Sequence, residues 1–301
     1  MHPHFSLPPN ALGRAAARAT AIPRPDGVIR VEGPGAEACL QGVLTNDLVK
    51  GAPELAWGAV LTPKGMIITD LWVLRDAGGF WLVVPEAGRD ALLQVLARSF
   101  PPRLAKVTDR SAEMAAWWLI GAIPHAIDGV TLGRPHGPAP FAALAVAGRA
   151  AGQAGLRKAG CDEAEPELGD LLAVLGGWPA VGREIDEKTL PQEVRFDELE
   201  GVKYDKGCYV GQETVARLHF RGHANRMLRA MRGTGELPED PTITNAAGKE
   251  VGTVATLVTL GDRWIATAKV RREVEPGDPV TVGGRQATVG DFPVDAGAVT
   301  G

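Results

Sequence analysis

Lys206-Gly207-Cys208-Tyr209-Val210-Gly211-Gln212-Glu213 is the densest run of special residues in this 301-residue chain. Gly207 and Gly211 bracket Cys208 and permit backbone angles closed to other residues. Gln212 to Leu218 is a good helix-forming run, so Cys208 is expected just ahead of a helix N-terminus. The partial positive charge at that terminus and the ammonium of Lys206 would both favour thiolate over thiol. Both tyrosines of the chain, Tyr204 and Tyr209, fall in the same segment. Two readings fit these residues: a functional thiol, or a tight connection between domains in which Cys208 is a small buried residue. His219 and His223 follow at i, i+4, but no carboxylate or cysteine ligand stands at matching spacing, so no metal site is expected. No local signature of a papain-like nucleophile surrounds the cysteine either.

Toward the C-terminus the pattern turns to short β-type runs: Met227–Arg232, Val251–Leu260, Trp264–Lys269, Pro279–Val282 and Gln286–Val289. Gly, Pro and Asp turns separate them at short intervals, the signature of a small all-β barrel or sandwich over 225–301. Toward the N-terminus, a short helix is expected at Leu12–Ala19 and a strand at Gly27–Glu32. Ala36, Cys39, Leu40 and Val43 then recur at helical spacing, which makes Cys39 a core thiol. Gly33-Pro34-Gly35-Ala36-Glu37-Ala38 fits a dinucleotide fingerprint, but the hairpin text that follows does not continue a βαβ unit. Ala56–Leu61 and Met66–Leu74 flank Thr62-Pro63-Lys64-Gly65, which suits a type I turn. Phe80–Val84 is a third strand, followed by a helix at Glu86–Ser99 and strands at Leu104–Val107 and Ala115–Ile120. Ile123 to Leu168 is rich in Ala, Gly and Pro, and no elements are placed there.

Strand alternation puts Asp70 on one face with Met66, Ile68, Trp72 and Leu74. A carboxylate among apolar neighbours is costly unless it is paired or placed for a ligand. Both options stay open, the pair being with Arg75 or an arginine from elsewhere.

The motif Lys206–Glu213, followed by Val215-Ala216-Arg217 and Phe220-Arg221-Gly222, resembles the K-G-C-Y-x-G-Q-E signature of the YgfZ-type branch of the folate-binding, glycine-cleavage T-like proteins. Three further segments are similar to that family in the same order. They are Val31–Gly35 with Leu40–Asp47, Thr62–Gly65 with Thr69–Leu71, and Asp186–Glu193. The resemblance implies an α+β fold in three parts around a central opening, closed by a C-terminal antiparallel β-barrel. The body then spans 1–224, with subdomains of about 1–50 plus 115–224 and 51–114, and the barrel spans 225–301. It implies that tetrahydrofolate or a derivative binds in the opening, with Asp70, Asn46, Asp47 and Lys64 as binding residues. It also implies a role in iron–sulfur cluster assembly or repair, in support of cluster-dependent enzymes such as those that modify tRNA. Cys208 takes the place of the family's motif cysteine, supported by Lys206, Gly207, Tyr209, Gly211, Gln212 and Glu213, and folate and iron–sulfur client or assembly proteins are the implied partners.

The chain departs from the family at Leu175, which stands where a pterin-facing glutamate is expected, and leucine offers no hydrogen bond. No Tyr-Thr-Gly-Glu-like segment occurs within Ala143–Gly160, so glycine-cleavage activity is not expected. Alternatives to the cluster role are a folate-dependent one-carbon transferase with Asp70 as its electrostatic or general-base group, and a scaffold that has lost folate. Whether a substrate is turned over is left open by the sequence.

The bulk numbers agree with a water-exposed globular chain. It is 45% apolar and 23% charged, which is ordinary. No run reaches the ~20 apolar residues of a bilayer-spanning helix, and no signal peptide heads the chain. A net charge of −4 argues against direct nucleic-acid binding. Three scattered cysteines are no disulfide framework; a reducing cytoplasmic location is expected.

Overall fold

The structure is a computed structural model and describes residues 4–8, 11–51, 54–236 and 239–295. Three sheets organise it. The first runs Leu55–Leu61, Ile67–Asp76, Gly79–Pro85, Asp26–Glu32, Lys106–Asp109, with every neighbour antiparallel. One face carries Ile29, Val31, Leu71, Val73 and Leu82 against Leu40, Leu92 and Leu96 of the helices Ala36–Gln41 and Glu86–Ser99. The long helix comes close enough for Gly88 to touch Thr69, where a Cβ would sit 2.0 Å from the hydroxyl. The opposite face packs Val28, Trp57, Trp72 and Leu74 against Ile22, Trp118, Leu144 and Val146 of the second sheet. No βαβ unit follows Gly33-Pro34-Gly35, since the sheet is antiparallel throughout.

The second sheet has the order Asp162–Glu163, Thr20–Arg24, Met114–Ile120, Ala143–Gly148, Thr131–Gly133. Ala143–Gly148 lies in the stretch where no element was placed. Ala143, Ala145 and Ala147 face one core and Leu144 and Val146 another. A strand buried on both faces shows no polar alternation, so its period is silent in the sequence.

The third sheet closes on itself. Arg226–Thr234, Arg263–Arg271, Glu250–Leu260, Thr242–Asn245, Pro279–Val282 and Arg285–Gly290 form a six-stranded antiparallel barrel, with Arg285–Gly290 returning to Arg226–Thr234. Closure removes the unpaired edges that an open sheet leaves. His4–Leu7 joins Glu250–Leu260 from outside as a parallel strand. Glu184 ties the barrel to the body: its buried Oε1 accepts from Thr256 Oγ1 and Thr267 Oγ1, each at 2.6 Å.

Several expectations shift in detail. By sheet membership, Asp26–Glu32 and the helix after it belong with the 51–114 layer. The helix expected at Leu12–Ala19 is Ala11–Ala16, because the chain is already a strand at Thr20. The strand expected at Leu104–Val107 is Lys106–Asp109; Leu104 stands in the preceding turn, bonded from its N–H to Pro101 O. A bulge at Ile68, the extra residue where Val60 faces Thr69 and Leu61 faces Ile67, reverses the alternation of Ile67–Asp76. Ile67 therefore joins Trp72 and Leu74, while Ile68 packs with Leu71 and Val73 on the other face. Asp70 keeps Trp72 and Leu74 as same-face neighbours and loses Ile68.

Candidate functional site

The cysteine motif is clamped on both sides. Upstream, the ammonium of Lys206 is buried and donates to three main-chain carbonyls, Gln41 O at 3.0 Å, Leu44 O at 2.6 Å and Asn46 O at 2.6 Å. These carbonyls lie at and beyond the end of helix Ala36–Gln41, where oxygens go unpaired and a cation is favoured. Burial lowers the Lys206 pKa to about 8, against a smaller opposing pull from Asp47. The Lys206 ammonium is thus committed to this cage. Downstream, Gly211 adopts a left-handed φ of 83° ahead of helix Gln212–Arg221. A Cβ there would come 2.5 Å from Thr62 O, so the motif lies flush against the Thr62–Gly65 turn. Gly207 is not in the left-handed region and has open space around it.

Between these clamps Cys208 is exposed, whereas Cys161 is buried and Cys39 half-buried against the core. Tyr209 is buried, its hydroxyl without a partner. Gln212 is half-buried and Glu213 exposed. Tyr204 stacks on His219 at 3.9 Å, and both bond to Asp197, through Tyr204 Oη–H to Oδ1 at 2.5 Å and His219 Nδ1 with Oδ2 at 3.2 Å.

A cavity of about 470 Å³ opens beside this segment. Trp57 and Trp72 form its aromatic wall, with Asn46, Asp47, Gly137, Leu199 and Glu200 around them. Lys50 and Lys203 stand at the cavity too, paired to Asp205 at 2.5 Å and Glu200 at 2.8 Å. Lys203 and Asp205 belong to the motif segment, so cavity and cysteine loop share one stretch of chain. Asn46 and Asp47 both line this cavity, and the Asn46 amide and Asp47 Oδ1 are already bonded. Asn46 Nδ2 donates to Trp57 O and Glu200 O, at 2.6 and 2.9 Å. Asp47 accepts from Gln41 Nε2, Val49 N and Lys50 N, and these bonds outweigh its partial desolvation and hold its pKa below the usual carboxylate range. Lys64 sits exposed on its turn and is not part of the lining.

Asp70 is 4% exposed and lies two residue pairs along from Trp57–Trp72, opposite Ala59. Its Oδ1 accepts the Val181 N–H at 2.9 Å. The Trp57 indole lies beside the carboxyl without a good hydrogen bond. Burial raises the Asp70 pKa to about 7 despite those donors. Arg75 is not its partner: that guanidinium bonds Glu37 and Leu48 O. Among the described residues no cation lies within ion-pair distance of Asp70.

Behind the wall the interior is filled. Trp178 stacks on Trp72 at 5.5 Å and meets Trp57 at 4.8 Å, and Phe196 packs on Trp57 at 4.2 Å. Leu175 is buried in the same core. Trp57 and Trp72, 3% and 6% exposed, reach the cavity only by their edges, and Glu200 lines its mouth. Glu200, Trp178 and the Lys206 cage were missed in the sequence. Only the clustering of aromatic residues with Lys206 gave any signal for them. Among the described residues no group of three or more His, Cys, Asp or Glu is arranged to hold a metal, and no helix is long and apolar enough to cross a membrane.

Residues 26–128 match the GCVT N-terminal domain family. The chain is 30% identical over 281 residues to the human mitochondrial iron–sulfur cluster assembly factor IBA57, covering 83% of this chain and 78% of that protein. It is 30% identical over 281 residues to the tRNA-modifying protein YgfZ of Edwardsiella ictaluri, covering 84% of each. With YgfZ of Vibrio vulnificus YJ016 the identity is 27% over 241 residues, covering 75% of this chain and 73% of that protein. The fold is similar to the glycine cleavage system aminomethyltransferase T from Bartonella henselae, with a TM-score of 0.77 at 17% identity, covering 96% of this chain and 90% of that one.

Proposed function

Because this chain belongs to the family of YgfZ and IBA57 proteins, we infer that it is an accessory factor in assembling or repairing iron–sulfur clusters, with Cys208 as its working thiol and a reduced folate as its ligand. The observation that carries this reading is the state of Cys208: the exposed thiol of three, on a loop fixed by the Lys206 cage and by Gly211. A structural cysteine needs no exposure, whereas a sulfur that meets iron on a partner does. The enzymes it would serve include cluster-dependent ones that modify tRNA, in keeping with its relatives' names.

A folate suits the cavity in outline. When bound, it would supply a carrier for a one-carbon unit. Its pterin would lie in the cavity against the edges of Trp57 and Trp72, and Lys50, exposed at the rim, would meet its carboxylate tail. Asp70 stays outside the lining, behind the tryptophans. That arrangement favours folate binding over a one-carbon transfer with Asp70 as base.

The test is deletion of the gene for this chain in its own host, followed by assay of several cluster-dependent enzymes under oxidative stress. The expected result is loss of their activity with protein levels unchanged, restored by the wild-type chain. Full activity in the deletion strain would refute the reading.

A further inference from the structure

Glu200 is one of two described non-glycine residues with a positive φ, at 56°. A side chain in that region is strained, and such strain concentrates where the surroundings hold a residue in place for use. The surroundings here do hold it. Asn46 Nδ2 donates to Glu200 O at 2.9 Å, and the Glu200 N–H donates to Asp197 O at 3.3 Å. The next residue, Gly201, lies on the Trp57 ring, where a Cβ would approach Cζ3 to 2.5 Å. The turn thus seats Glu200 at the edge of the aromatic wall.

Its carboxylate faces the cavity. Lys203 Nζ donates to Oε2 at 2.8 Å, the side chain is 56% exposed, and Gly137 lies against it, where a Cβ would stand 3.4 Å from Glu200 Cδ. Oε1 makes no hydrogen bond to a described residue. An acceptor oxygen lining a cavity that two indole edges also line complements a heterocycle that presents adjacent N–H donors. Position 175, a leucine packed in the core, supplies no acceptor.

We propose that Glu200 is a ligand-recognition residue of this cavity, accepting the amino and ring N–H hydrogens of a pterin in place of a carboxylate at position 175. This rests on the folate reading above. Lys203 acts as the positioning residue that holds the carboxylate's other oxygen.

The experiment is calorimetric titration of the full chain with tetrahydrofolate and with an analogue lacking the 2-amino group, beside thermal unfolding of each protein. Variants are Glu200→Gln and Glu200→Gly. Glu200→Gln is expected to bind tetrahydrofolate ~10- to 100-fold more weakly, the range for losing hydrogen bonds to a charged group. The gap between wild type and Glu200→Gln should shrink for the analogue. Glu200→Gly should lose the same affinity while its Tm rises by ~2–4 °C, because glycine relieves the left-handed strain. A merely structural residue would not move affinity and stability in opposite directions. If wild type binds tetrahydrofolate and both variants bind it equally well, the role of Glu200 is overturned and the folate reading stands. If wild type binds neither ligand, both fall.

Discussion

At 4% exposure, with one main-chain donor and no cation, the Asp70 carboxyl ionises at the expense of the fold. Its pKa in the folded chain is about 7, against an ordinary value of 3.8. Between those values the folded state keeps a proton that the unfolded chain has released. Stability attributable to Asp70 is therefore full below pH 4 and is lost as pH rises through 7. The loss at pH 8 is on the order of 2–4 kcal/mol. Asp70→Asn retains an Oδ1 for the Val181 N–H and has no charge to bury. It should melt several degrees above wild type at pH 8 and level with it at pH 4, read from thermal unfolding across that range. A difference that does not change with pH would mean that Asp70 is not the buried titrating group described here.

The cysteine loop depends on two elements meeting without a side chain between them: the Thr62–Gly65 turn and the start of helix Gln212–Arg221. At Gly211 both the left-handed φ of 83° and the 2.5 Å approach of a Cβ to Thr62 O oppose substitution. Gly211→Ala should cost ~2 kcal/mol or more, summing left-handed strain and overlap. Gly207→Ala, with open space and no left-handed φ, should cost less than ~1 kcal/mol. Denaturant titration of both variants checks the contrast, and equal losses would contradict this account of the loop. Sequence had marked both glycines alike, because the need for glycine at 211 comes from a turn far away in the chain. The bulge at Ile68 was equally hidden, since alternation alone assumes an unbroken ladder.

For the molecule as a whole, the barrel text after Asn225, the hairpin around Thr62–Gly65 and the motif at Lys206–Glu213 were legible as local patterns. The residues that join the parts were not. Lys206 reaches carbonyls 160 to 165 residues away, and Glu184 meets threonines 72 and 83 residues on. Neither carries a periodic or spacing signal. Asn46 and Asp47 line the cavity with the Asn46 amide and Asp47 Oδ1 bonded to main chain and Gln41, and Glu200, which the sequence did not single out, lines it as well. What the three sheets finally present is an exposed thiol on a loop whose preceding residues, Lys203 and Asp205, line a cavity, and the proposed cluster role depends on that thiol. The decisive measurement is rescue of cluster-dependent enzyme activity in the deletion strain, comparing Cys208→Ala with a Cys39→Ala, Cys161→Ala double variant at equal expression. Cys208→Ala should fail to rescue while remaining folded, and the double variant should rescue. Undiminished rescue by Cys208→Ala would contradict the proposed role of the thiol.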